Sequence, residues 1–256
     1  MNGWTRKLVM LGVCLLLARV SWADDIQKAM EAAKTKHGET ICTVKLVIDI
    51  KFQGQAQEQP AQMTGTIVNE TGLVVISNKD FDPAAMMGRP MPPGFNIEVT
   101  PKNFKITIGK EEKELDAFIV ADDKKLGLSF LQIQALGERK LKFASFAGDA
   151  ALAAGQKVIL VDRLGQDFDY LLTARVSRVN GLVTKPRAGS LVYAFRESLG
   201  MPVYGIDGKV AGILIGVSGE GELSSGTLPI VLPAAVTRAR IGQAAEIAKE
   251  MLEEEG

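Results

Sequence analysis

The sequence is poor in the side chains from which most metal and redox sites are built. Among 256 residues there are two cysteines, one histidine and two tryptophans, and aromatic residues make up 6% of the chain. His37 and a pair of thiols fall short of the ligand sets that zinc, haem and most transition metals require, so no metal and no cofactor is expected. Neither a Walker-type loop nor a glycine-rich dinucleotide fingerprint is present. Charge of one sign is lacking too, with 30 basic and 30 acidic side chains. That balance offers no electrostatic footprint for nucleic acid. The longest apolar run, Leu8 to Ala18, is well below the ~20 residues that cross a bilayer.

Arg6 and Lys7 before that run, and Ser21-Trp22-Ala23 after it, have the layout of a secretory signal at 1–23. An uncleaved membrane anchor is the alternative, and the short run argues against it. The expectation is an exported protein, periplasmic or secreted, starting near Asp24 and without a stable membrane span. Its removal takes three basic residues and no acid, leaving 27 basic against 30 acidic side chains. Cys42 is then the only cysteine, which excludes an internal disulfide; in the run Ile41-Cys42-Thr43-Val44 it reads as a buried strand thiol.

Residues 24–38 have an amphipathic helical pattern, with Ile26, Met30 and Ala33 on one face and Gly38 as a stop. Short β-rich runs follow: Ile41 to Ile50, Gly65 to Ser77, Phe104 to Ile108, Ala117 to Val120 and Leu128 to Ile133. A second set comprises Lys157 to Val161, Leu171 to Val179, Ser190 to Ala194, Val203 to Ile206, Val210 to Val217 and Thr227 to Leu232. Many short strands with turn signals between them point to sandwiches or barrels. Leu136 to Ala154 reads as a linker. Residues 234–256 form a closing helix with Ile241, Ala244, Ala248 and Leu252 on one face. The segment 83–94, rich in proline and methionine, excludes a central strand and reads as a surface loop, with a soft copper(I) site or a partner surface as alternatives. Asp122-Asp123 and Asp167-Phe168-Asp169 sit in turn contexts, where aspartate serves the backbone.

Several of these segments resemble, in order, the trypsin-like serine proteases of the HtrA/Deg type. The run Gly65 to Asn78 (GTIVNETGLVVISN) is similar to the family's hairpin before the catalytic histidine, and puts Lys79 at the histidine position. Asp123 to Ile133 (DKKLGLSFLQI) resembles the aspartate-bearing run, and puts Gly127 at the aspartate position. Gly148-Asp149 and Ala154 to Val158 resemble the signals that open the second barrel. Glu197-Ser198-Leu199-Gly200-Met201-Pro202 stands where the family has G-N-S-G-G-P, with Leu199 at the nucleophile, and Ile206 to Ile213 matches the hairpin after it. Leu228 to Pro233 before a helix is similar to the closing strand, and no PDZ-like segment follows in this sequence.

The resemblance implies an all-β, trypsin-like double β-barrel with short terminal helices: signal 1–23, helix 24–38, first barrel 39–135, linker and second barrel 136–233, closing helix 234–256. It implies a degenerate triad at Lys79, Gly127 and Leu199. Leucine has no oxygen to attack a carbonyl, a lysine of ordinary pKa about 10.4 is no base at neutral pH, and glycine orients nothing. Ser198 is the remaining alternative nucleophile, in a Ser-Lys dyad with Lys79 that Glu197 would oppose by keeping the lysine protonated. Ile215, Gly216 and Val217 stand where the family pairs with extended peptide, which needs no catalytic residue. The expected function is an inactive pseudo-protease that binds peptide or protein partners. A structural or assembly role, or a serine-type peptidase with a non-standard site, are the alternatives.

Overall fold

The computed structural model describes residues 25–81, 97–111, 113–148, 151–185, 187–195, 198–218 and 227–255. The signal segment 1–23, the loop 83–94 and Glu197 lie outside the described residues. An N-terminal helix α1 covers 25–37. The first six strands are β1 (Ile41–Phe52), β2 (Gln55–Ile67), β3 (Leu73–Ser77), β4 (Ile97–Ile108), β5 (Leu115–Asp123) and β6 (Leu128–Ile133). The second six are β7 (Lys157–Arg163), β8 (Leu172–Val183), β9 (Gly189–Val192), β10 (Pro202–Gly205), β11 (Val210–Ser218) and β12 (Thr227–Pro233), followed by helix α2 (Ala234–Glu255).

Each set closes on itself. The first barrel has the order β1-β2-β3-β6-β5-β4 and the second β10-β11-β12-β9-β8-β7, with all pairings antiparallel. Closure removes most of the open sheet edges that would otherwise recruit other strands, leaving those where β2 and β11 run beyond a neighbouring strand. Alternation along each strand sends one set of side chains inward. Cys42, Val44, Ile67, Val74, Ile76 and Leu131 fill the first barrel, and Val158, Leu160, Val179, Val203, Leu214 and Val231 the second. Outward-facing Ile41, Leu73, Phe130, Ile159, Tyr204 and Ile213 form a third core, to which α1 adds Ala33 and α2 adds Ala244 and Ala248. The helix α2 contacts β5 and β6 of one barrel and β11 and β12 of the other. Leu252, on the same expected stripe, is 40% exposed.

The polar stretch Gln55 to Thr64 continues β2 well before the hydrophobic signal at Gly65. β1 pairs with it throughout, Val47 opposite Pro60, whereas β3 reaches only Thr66 and Ile67. The far edge of 55–63 therefore has no strand partner among the described residues, which tolerates a proline without an N–H. No helix among the described residues is long and apolar enough to cross a membrane.

Candidate functional site

Strand β3 ends at Ser77 and delivers Asn78 and Lys79 to the seam between the barrels. The Asn78 side chain donates to Asp122 Oδ1 at 2.6 Å and to the Leu128 carbonyl at 3.2 Å, and its backbone N–H donates to Gly127 O at 3.1 Å. Ser129 Oγ donates to the same Asp122 oxygen at 2.7 Å. The end of β3 is thus tied to the β5–β6 turn, where Gly127 has φ +72°, a backbone state that favours glycine. Asp123 accepts the Leu126 N–H at 2.9 Å and pairs with Arg240 of α2 at 3.3 Å. A β-carbon placed on Gly127 lies 3.1 Å from Lys79 Cε.

From the second barrel comes the loop Ser198-Leu199-Gly200. Gly200 has φ +87°, and a β-carbon there falls 2.7 Å from Ser77 N and 3.1 Å from Ile76 C. Thr66 Oγ1 donates to Gly200 O at 2.9 Å across the same contact. Only a residue without a side chain lets this loop lie directly on the backbone of β3. Leu199 is 6% exposed and packs in the second barrel's core.

The three positions singled out in the sequence meet around Gly216 of β11. A β-carbon on Gly216 lies 3.0 Å from Leu199 Cδ1 and 3.4 Å from Lys79 Cγ, and Gly216 O is 3.7 Å from the β-carbon position of Gly127. Beside Leu199 a cavity of about 280 Å³ opens between the barrels, lined by Thr43, Met63, Ser77, Arg163 and Phe168. The guanidinium of Arg163 donates to the carbonyls of Gly38 at 2.6 Å, Tyr170 at 3.0 Å and Ile41 at 3.3 Å, so this buried cation is satisfied by backbone.

The edge formed by Ile215, Gly216 and Val217 has a defined orientation. Gly200 N donates to Leu214 O at 2.7 Å and Leu214 N to Met201 O at 2.8 Å, so the polar groups of Leu214 point away from β12. Two residues on, those of Gly216 point the same way, since backbone groups alternate along an antiparallel strand. Its cross-strand neighbour is Pro229, which has no N–H to offer. β10 has already ended, its pairing reaching Ile213, and no strand among the described residues pairs with β11 at Gly216 on that side. Ile215 and Val217, by the same alternation, bond toward β12.

The other polar groups singled out in the sequence are engaged in structural contacts. Ser198 is completely buried, and its Oγ accepts from Arg175 Nη2. His37 stands at the end of α1, 7% exposed and stacked on Tyr204 with ring centroids 4.0 Å apart. Its Nε2–H donates to Gly208 O at 2.9 Å, and burial pushes its pKa below the ordinary value. Asp122 and Asp123 serve the turn and strand contacts above. Asp167 lies in the 3-10 turn Gln166–Phe168 and Asp169 caps it in the left-handed region, φ +51°. The Cys42 thiol is buried and pushed up to about 12 by that burial. Among the described residues no cluster of three or more His, Cys, Asp or Glu could hold a metal.

Two closed, six-stranded antiparallel barrels with short terminal helices are the trypsin-like double-barrel fold. The chain matches no protein-family model and no curated protein. Sequence reasoning missed the Asn78–Asp122–Ser129 network and Arg175. The first has a faint signal, since an aspartate in a strand opposite a serine wants a donor. The second has none without the topology.

Proposed function

We propose that this chain is an exported, catalytically inactive protein on the trypsin-like scaffold, similar to the HtrA type, whose interbarrel cleft binds an extended peptide segment of a partner. The observation that carries this reading is the meeting of Lys79, Gly127 and Leu199 around Gly216. Three residues far apart in sequence occupy one cleft, at the positions where the resemblance puts nucleophile, base and orienting acid, and none can perform those roles. Gly216 supports the binding part. Its N–H and C=O form a ready donor and acceptor pair for one residue of an added strand, the mode in which main-chain bonds give affinity.

The alternative serine loses support from its surroundings. Ser198 Oγ is sealed from solvent and engaged by a cation rather than by a base. A structural role draws on one fact of its own, that Leu199 is part of the second barrel's core. The test is exposure of the secreted protein to a fluorophosphonate and a fluorogenic peptide panel. The expected result is neither labelling nor cleavage; labelling abolished by Ser198→Ala would establish a serine peptidase instead.

A further inference from the structure

Arg175 of β8 is half-buried and carries a buried side-chain nitrogen without an acceptor. In the register of β7 with β8 it stands opposite Leu160, as Ser177 stands opposite Val158. Directly opposed residues share a face, so Arg175 points to the side on which Leu160 and Val158 fill the barrel. It therefore stands at the mouth of an apolar core. One N–H group bonds Ser198 Oγ, the guanidinium lies 4.8 Å from the centroid of the Phe195 ring, and Nε is buried with no acceptor. No carboxylate among the described residues forms an ion pair with it. A neutral hydroxyl and an aromatic face are weak compensation for a half-buried cation, and an orphaned N–H adds a penalty of its own.

We infer that Arg175 is a carboxylate-recognition residue, and that the partner bound along β11 presents an acidic side chain or its own C-terminal carboxylate to the guanidinium. This rests on the peptide-binding reading above and names the chemistry it requires. A carboxylate that approaches past the exposed Phe195 ring and draws the half-buried guanidinium off the buried Ser198 hydroxyl takes Nη2 and Nε together, the two parallel bonds that guanidinium and carboxylate planes favour. The route from the strand edge to Arg175 is short. Leu199, whose Cδ1 approaches Gly216, is the neighbour of Ser198, whose hydroxyl Arg175 holds. Phe195 and Tyr193, 56% and 73% exposed, set an apolar rim beside it. Anionic residues flanked by an apolar side chain therefore suit the site best.

The test follows the Arg175 Nε–H resonance of the secreted protein by NMR during titration with three probes. N-acetylphenylalanine carries a free α-carboxylate, N-acetylaspartate α-amide carries only the side-chain carboxylate, and N-acetylphenylalaninamide carries neither. A saturable shift with a carboxylate probe and none with the amide is expected. The first probe acting alone assigns a C-terminal carboxylate, and the second alone an acidic side chain. Arg175→Gln should weaken binding about tenfold or more. Ser198→Ala, which removes the competing acceptor without removing the cation, should tighten it. The inference is overturned if neither carboxylate moves the resonance, if the amide moves it equally, or if Arg175→Gln binds as well as the native chain. Failure of the strand-edge reading shows separately, as a Gly216 amide that extended peptides leave unshifted while Arg175 still responds.

Discussion

Replacing Gly200 by alanine probes the contact that brings the two halves of the cleft together. At φ +87° a β-carbon costs about 1–2 kcal/mol from local sterics alone. The added carbon also falls 2.7 Å from Ser77 N and 3.1 Å from Ile76 C, and because both are backbone atoms neither can rotate away. Overpacking of this kind costs about 1–3 kcal/mol, so the sum is about 2–5 kcal/mol. For a chain of this length each kcal/mol lowers Tm by about 2–4 °C, which predicts a drop of about 4–20 °C. Gly54→Ala is the control, because Gly54 has φ +82° but nothing within 4 Å of its β-carbon position. It should show the backbone cost without the collision. Thermal unfolding followed by circular dichroism compares the two. If Gly200→Ala is no more destabilising than Gly54→Ala, the loop does not lie on β3 as described.

Three further outcomes are expected. Burial holds the pKa of His37 below its ordinary 6.5, so the unfolded chain binds the proton more tightly. The stability it contributes is complete above pH 6.5 and falls as the pH drops from there toward the folded value. Urea midpoints against pH should fall across this range and flatten in His37→Gln; an identical slope in the variant would remove His37 from the account. Glu111, held low by Arg139, begins to matter only below its ordinary 4.5. Cys42 should resist thiol reagents in the native protein and react on unfolding, since its thiolate is suppressed; one full equivalent of native labelling would contradict the buried position. Secreted protein should have an intact mass lacking residues 1–23, and retention of that segment would point to an anchor.

The double barrel was legible because its strands advertise themselves through β-branched, alternating runs broken by turn residues. β2 shows where this ends. Gln55 to Gln62 carries no apolar alternation, yet it pairs residue for residue with β1, which supplies the hydrophobic side. The positions 79, 127 and 199 could be named from motif order, but their meeting at Gly216 depends on two separate close approaches, of Gly127 to Lys79 and of Gly200 to β3. Arg175 is illegible for a physical reason. In Thr173-Ala174-Arg175-Val176-Ser177 the polar alternates suggest the solvent face, whereas the register with β7 puts them on the side of Leu160 and Val158. Polar side chains at a barrel mouth invert the usual binary pattern, and only the pairing shows it.

The central claim joins an inert site to a usable strand edge, and a single sample can test both. Amide hydrogen exchange of β11 is measured in the secreted protein with and without a mixture of casein peptides, and the peptides are recovered and weighed afterwards. The account predicts slowed exchange at Gly216, whose N–H points to the unpaired side, and peptides of unchanged mass. Cleaved peptides, or exchange at Gly216 that the mixture does not alter, would contradict it.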